Sequence, residues 1–327
     1  MTAQRLAAEL ADKPAALTRL ADRLARRDPY AALPALLDDE PAAIVLLGAG
    51  AGHYVCEVAA ERMRRAGLGA SAESATAAFS TPGGPDTLVV AVALGSARRE
   101  LCESLHRYAG SSAIVVLTDD AEGPETRYAD LVVPLLTSGE VSGLESGGAQ
   151  QALALLLLLA SRLGAPTPGS SADVAVTLRR SSNAVSDLMA RAAEWVPGVA
   201  GLLSTRPGPY LVAPAERSSS ARLGALALRR GPVLAAHSCE TGEWSHTERH
   251  LAAVQDYRAL LFAGSRFDER FADHLGSLKG TFVCVGGEVP GAAMVLRYPG
   301  DTDPDIGVLT EPVIAELLAL HWWKHRR

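Results

Sequence analysis

Apolar residues along this chain fall into two kinds of run, and their alternation lays out the fold. Leu6, Leu10, Leu17, Leu20 and Leu24 recur at helical steps near the N-terminus, the pattern of one buried helix face. This predicts a surface-lying helical segment over 1–40. Pro14 should interrupt it, because proline removes a backbone donor and clashes with the preceding turn. Short continuous apolar runs follow at Ile44–Leu47, Leu88–Ala93, Ile114–Leu117 and Leu131–Leu135, each bounded by Gly, Pro, Asp or Ser. Continuous rather than alternating runs imply strands covered on both faces, hence a parallel sheet. Helices are predicted over 54–65, 97–108 and about 148–163. This β-α-β-α order points to a doubly wound α/β fold.

The same order then returns, with strand-like runs at Leu211–Ala213, Leu260–Ala263, Phe282–Val285 and Met294–Leu296. Measured from the first strand, later strands start 44, 70 and 87 residues on in the first half, and 49, 71 and 83 in the second. That match implies a duplicated module. Both second strands run into Gly-Ser, Gly95-Ser96 and Gly264-Ser265, with the serine expected to cap the following helix. A Pro/Ser/Gly stretch at 165–172 separates the halves, and 173–203 reads as a bridging helix with a turn at Pro197-Gly198. The expected organisation is a helical segment over 1–40, a first module over 41–165, a linker and bridging helix over 166–204, and a second module over 205–327.

Composition narrows the class. The chain has 327 residues, 48% apolar and 21% charged, enough for a real core. A net charge of −6 offers no general attraction for nucleic acid. The longest purely apolar run, Ala152 to Ala160, spans nine residues, against the ~20 of a membrane helix. No secretory leader is evident, and Cys56, Cys102, Cys239 and Cys284 lie far apart with no CxxC pair. A cytoplasmic protein without membrane or nucleic-acid partners is expected.

Several segments resemble the sugar isomerase (SIS) family in its two-module form, the isomerase half of glucosamine-6-phosphate synthase. IVLLGAGAGHYVCEVAAERMRRAG is similar to the family's first strand, glycine turn and helix. DTLVVAVALGSARREL is similar to its second strand and phosphate loop, and EVSGLESGGAQQALALLLLLASRLG to the entry into the helix closing the first module. SARLGALALRRGPVLAAHSCETGEWSHTERHLA is similar to the second-module helix and the Gly-Glu-x-x-His segment. The resemblance covers about residues 40–327. It implies two tandem flavodoxin-like parallel-sheet modules, a carbohydrate-derivative ligand, no cofactor, and a homodimer.

The local chemistry departs from the family's. The resemblance implies a Ser-x-Ser-Gly-x-Thr phosphate loop, but this chain has Ala93-Leu94-Gly95-Ser96-Ala97-Arg98. Gly52 stands where the family has another hydroxyl. Candidate ligand contacts are Gly50, Gly52, His53, Gly95, Ser96, Arg98, Ser146 and Arg230. A helix N-terminus at a switch point is a natural anion site. Arg98 and Arg99 oppose the helix dipole there, so they either meet an anion or pair with Glu100 or Glu103. Gly48-x-Gly50-x-Gly52 lacks the spacing of a dinucleotide fingerprint and suits close helix–strand packing.

Aldose–ketose isomerisation needs a base that moves a proton between neighbouring carbons and a group that opens the ring. The family's base position falls at Arg230, and arginine is no base near neutral pH. The ring-opening histidine matches His246 in Gly242-Glu243-Trp244-Ser245-His246. The family's C-terminal lysine is not expected, since the chain reads to Trp323-Lys324-His325-Arg326-Arg327. Glu243 and Glu145 are candidate replacement carboxylates, alongside His246 as the candidate acid/base. Glu243 and His246 otherwise form a dimer-facing polar cluster. His246 and His250 share helical spacing, but Glu248 between them breaks the zinc-protease pattern and no metal is expected. In the C-terminal HWWKHRR, Trp322 or Trp323 is expected to pack the last helix on the sheet or a partner subunit. The pattern as a whole implies a divergent phosphosugar isomerase-like enzyme, or alternatively a non-catalytic carbohydrate-derivative binder.

Overall fold

A computed structural model describes residues 2–37, 39–137, 143–164 and 171–325. The chain forms two compact units, Ala16–Arg179, and Met1–Ala15 together with Arg180–Arg327.

After α1 (Ala3–Arg26), the chain runs through β1 (Ala43–Gly48), α2 (Ala51–Arg65), β2 (Ala70–Ser74), β3 (Thr87–Ala93), α3 (Arg98–Leu105), β4 (Ala113–Thr118), β5 (Leu131–Pro134) and α4 (Ser146–Arg162). The strands form one parallel sheet in the order β2-β1-β3-β4-β5. Every β3 residue is buried, as its unbroken apolar run requires. α4 is buried from Gly148 to Ala160.

Helices α5 (Ser171–Ala190) and α6 (Ala192–Leu203) follow. Then come β6 (Tyr210–Ala213), α7 (Ser218–Arg230), β7 (His237–Glu240), α8 (Trp244–Thr247), α9 (Arg249–Ala252), β8 (Arg258–Phe262), α10 (Asp268–Ser277), β9 (Thr281–Val285), β10 (Met294–Leu296) and α11 (Pro304–His325). The second sheet is also parallel, in the order β10-β9-β8-β6-β7. Read from the other edge, its strand order repeats that of the first sheet. The two modules are doubly wound α/β layers of one topology, as the spacing of the apolar runs implies.

Three local expectations are corrected. α1 passes unbroken through Pro14, and the leucines of its apolar face are all buried. The Pro14 carbonyl accepts the Ser182 hydroxyl at 2.8 Å, so burial and a local bond outweigh the missing donor. Pro197-Gly198 is no turn but lies inside α6, whose face of Trp195, Val196, Val199, Ala200 and Leu203 is buried. Ser96 does not cap α3: the N-cap residue is Ala97, with no side-chain cap. The expected separator at 165–172 lies, over 165–170, outside the described residues.

Two strands carried no apolar run. β2 reads Ala-Ser-Ala-Glu-Ser and β7 reads His-Ser-Cys-Glu, and each is an edge strand, mostly half-buried. An edge has a single neighbour and tolerates polar side chains, so neither announces itself in hydropathy. Among the described residues no helix is long and apolar enough to cross a membrane.

One buried ion pair ties α1 to α11. Lys13 Nζ lies 2.8 Å from Glu316 Oε2, and both residues are nearly inaccessible. Removing one partner strands the other charge away from water, at a typical cost of ~3–5 kcal/mol. Lys13→Ala should therefore lower the unfolding free energy in chemical denaturation by about that amount. A loss below ~1 kcal/mol, the scale of a surface pair, would mean that water reaches Glu316.

Candidate functional site

In the order 2-1-3-4-5, the chain leaves β1 and β3 in opposite directions, opening a crevice at their carboxyl ends. Two glycine turns bound it. Gly50, just after β1, has φ 54° and is the N-cap of α2, with no side-chain cap. Gly95, just after β3, has φ 60°. Both are left-handed conformations that L side chains adopt only at a cost. Gly48 and Gly52 serve packing instead. A Cβ on Gly48 would lie 2.5 Å from the Gly52 carbonyl carbon, and one on Gly52 would lie 3.0 Å from the Val92 carbonyl oxygen.

A side chain enters this crevice. Glu145, the left-handed N-cap of α4 with φ 60°, is only 8% exposed. Its carboxylate lies where a Cβ on Gly95 would stand, and its Oε2 would be 3.9 Å from a Cβ on Gly50. Gly50, Gly95 and Glu145, three of the residues singled out in the sequence, are thus brought together, with Ser146 buried beside Glu145 at the start of α4.

The other candidates of this module sit nearby in sequence with different engagements. His53, in the first turn of α2, holds Nε2 3.7 Å from Glu57 Oε1, and its buried Nδ1 has no hydrogen-bond partner. Ser96 is exposed. Arg98, for which the sequence left open an anion or a pairing with Glu100 or Glu103, is bonded to two other carboxylates. Its guanidinium donates to Glu125, to Asp119 at 2.5 Å and to Thr118 Oγ1 at 3.2 Å. Glu125 is fully buried, so its charge needs that partner. Arg99 pairs with Glu103 at 3.0 Å on the surface. An anion at the loop would compete with these carboxylates for either arginine.

The second module fills the equivalent crevice with side chains. Arg217 occupies the turn after β6 as the N-cap of α7. It is buried, and its guanidinium donates to Glu311 on α11 and to the Ala263 carbonyl at the end of β8. A Cβ on Gly264 would lie 2.7 Å from Arg217 Nη2. Asp268 Oδ2 accepts the amides of Gly264 at 2.6 Å and Ser265 at 3.1 Å. Burial raises the pKa of the Asp268 carboxyl, and those two amides pull it the other way. Burial likewise raises that of Glu311, opposed by Arg217. Sequence reading passed over Arg217, Asp268 and Glu311. A signal existed in α11, where Glu311 and Glu316 interrupt an otherwise apolar run.

Glu243 and His246 share a single helical turn in this second unit. Glu243 is the N-cap of α8, and its carbonyl accepts the His246 amide at 2.9 Å. Both side chains are exposed, and no ion pair joins them among the described residues. Arg230 is half-buried at the last residue of α7. His250 lies in a separate turn, α9, and no cluster of metal-ligating side chains occurs among the described residues. Trp323 packs on the end of α7, its ring 3.2 Å from where a Gly231 Cβ would stand.

Beneath α8 lies an aromatic cluster. Tyr210 stacks between His237 and Tyr257, and Trp244 Nε1 donates to Tyr257 Oη at 2.8 Å. Burial pushes the Cys239 thiol up to about 11, which makes it a poor nucleophile.

No protein-family model matches this chain, and no curated protein matches it in sequence. Solved structures do match over nearly its whole length. The C-terminal domain of glucosamine-fructose-6-phosphate aminotransferase from Francisella tularensis superimposes with TM-score 0.77 at 14% identity, covering 97% of this chain and 96% of that one. Tagatose-6-phosphate ketose/aldose isomerase from Escherichia coli gives 0.75 at 16% identity, over 98% and 92%. Glucosamine-6-phosphate deaminase from Thermotoga maritima gives 0.68 at 14% identity, over 98% and 95%. The fold is the two-module SIS fold. At these identities the likeness is one of fold, and the site has to be argued from this chain's own residues.

Within that SIS fold, one carboxylate above the aromatic cluster is measurable on its own. Glu248 has a buried oxygen with no hydrogen-bond partner, and burial raises its pKa, opposed by His237. The folded state therefore holds this proton more tightly than the unfolded chain. Its stabilising contribution is complete below the ordinary glutamate range, near pH ~4, and is lost as pH rises through the raised value. Glu248→Gln, neutral throughout, should match the wild type in melting temperature at about pH 4 and exceed it at about pH 7. A difference independent of pH would assign the effect to packing instead.

Proposed function

We propose that this chain binds a carbohydrate derivative at the switch point of its first module. The observation that carries this is the contrast between two crevices of one topology. In the second module, the crevice is plugged by the buried Arg217–Glu311 pair and by Asp268. In the first, it is bounded by the backbone of Gly50 and Gly95, and among the described residues the Glu145 carboxylate lies against them. Backbone turns of this kind let a ligand approach closely, and the first turn of α2 supplies amides there without a side-chain cap. The likeness to structures of sugar-phosphate enzymes supports the ligand class.

The fuller reading is a divergent, cytoplasmic isomerase-like enzyme working as a homodimer. Gly50, Gly52, His53, Gly95, Ser96 and Ser146 line the ligand in the first module, with Arg98 as a further polar contact there, and Arg230 is a ligand contact of the second unit. His246 is the acid/base of this reading, and Glu243 lies in the same turn. An aldose becomes a ketose when a base takes the proton from C2 and C1 receives one, the electron pair passing through an enediolate. An imidazole suits such transfer because one ring nitrogen can accept a proton while the other donates one. A second reading, a binder without turnover, is favoured by one observation: Arg230 stands where the family places its base.

Thermal shift and deuterium exchange test these readings together. At least one hexose, amino sugar or their 6-phosphates should raise the melting temperature. Gly95→Ala, which puts a Cβ where the Glu145 carboxylate lies, should abolish that shift. A panel with no shift overturns the binding reading. In D2O, wild type should incorporate deuterium at C2 of the bound sugar, and His246→Ala should lose that exchange by at least ~100-fold, the usual scale for a general acid/base. Binding without exchange in the wild type selects the non-catalytic reading.

A further inference from the structure

The last turn of α11 carries two histidines that the carbohydrate reading does not use. His321 and His325 stand four residues apart on one continuous helix, so their side chains share a face. Their rings lie 4.4 Å apart between centroids, tilted by 34°. His325 Nδ1 is 2.8 Å from the His321 carbonyl oxygen. A carbonyl can only accept, so Nδ1 carries the proton, and the lone pair of the neutral ring is on Nε2. Metal-binding imidazoles are held in this way, the second nitrogen donating to a carbonyl and thereby fixing tautomer and ring orientation. His325 is exposed and His321 half-buried, so an ion from solvent reaches the pair. His246 and His250 have the same spacing in sequence but lie in separate turns, α8 and α9.

The ring separation indicates which ion fits. A ligating nitrogen sits about 2.0 Å from a first-row metal ion, which puts each ring centre about 3.2 Å from it. Neighbouring ligands at a right angle then hold their ring centres about 4.5 Å apart, and tetrahedral ligands about 5.2 Å. The observed 4.4 Å matches the right angle, the geometry of tetragonal copper(II) or nickel(II), and copper(II) takes imidazole the more tightly of the two. The carbonyl end of a helix dipole also favours a cation in this turn. No group of three or more metal-ligating side chains occurs among the described residues, so water completes the coordination. We propose that His321 and His325 together chelate one divalent transition-metal ion of the copper(II) class in the last turn of α11.

Titration of the full chain with copper(II) chloride, at pH ~7.5 where ordinary imidazoles are mostly neutral and with glycine as competing ligand, tests this. Trp322 and Trp323 lie between the two histidines in sequence, and a copper ion bound there quenches their fluorescence. Quenching of the wild type should end at one ion per chain. His321→Ala and His325→Ala should each weaken binding at least about tenfold, because either leaves a single imidazole without its chelating partner. His325→Gln should do the same and stands in if an alanine variant unfolds. His250→Ala should keep the wild-type affinity within about twofold. Electron paramagnetic resonance of the copper complex should show two coupled imidazole nitrogens in the wild type and one in either single variant. Wild-type affinity no tighter than that of the single variants marks an adventitious ion only and overturns the proposal. Tight binding that survives both substitutions, or that is lost in His250→Ala, also overturns it by placing the ion elsewhere. Each of these failures leaves the carbohydrate reading untouched, since that reading uses neither histidine.

Discussion

A doubly wound parallel sheet gathers helix N-termini at one crevice, and their unpaired amides call for a negative or polar partner there. Both modules of this chain meet that demand with carboxylates from elsewhere in their own units. In the first, Glu145 comes from the N-cap of α4 to lie on Gly95. In the second, Asp268 accepts the amides after β8, and Glu311 arrives from α11 with Arg217 as its counter-charge. The shared constraint explains why buried acids recur where the apolar pattern of the sheets would not place them.

The two answers differ in what they leave open. Arg217 fills its crevice with a side chain that spans from Glu311 to the Ala263 carbonyl. That arrangement is closed by charge pairing, and neither partner can leave without stranding the other. Gly50 stands in the corresponding turn of the first module and contributes only backbone. Duplication thus yields one crevice completed by a buried ion pair and one bounded by glycine turns, with the Glu145 carboxylate on Gly95.

Much of this was legible in the chain. Eight continuous apolar runs correspond to eight of the ten strands among the described residues, because strands sandwiched between helices must be apolar on both faces. β2 and β7 escaped, being polar edge strands. Pro14 and Pro197 misled in the same way, since a local rule about proline yields to the burial of a whole helix face. Among candidate site residues, Gly50, Gly95 and Glu145 converge as their positions after β1, after β3 and before α4 suggested. Arg98 shows the opposite case. Its place in the first turn of α3 was readable, but its partners Asp119 and Glu125 lie about 20 to 30 residues further on.

What the amino-acid sequence determined by itself is the layered α/β class, the duplication and the glycine turns. These follow from local periodicity and backbone freedom, which neighbouring residues set. What only the tertiary structure decided is where each charge ends up. The carboxylate of Glu145 is on Gly95, the guanidinium of Arg98 is turned to Glu125, and Arg217 is locked to Glu311. Those partners are chosen by which segments the sheets bring within a few ångströms of one another. Burial then makes each choice binding, because a charge withdrawn from water has to find its opposite or a row of amides.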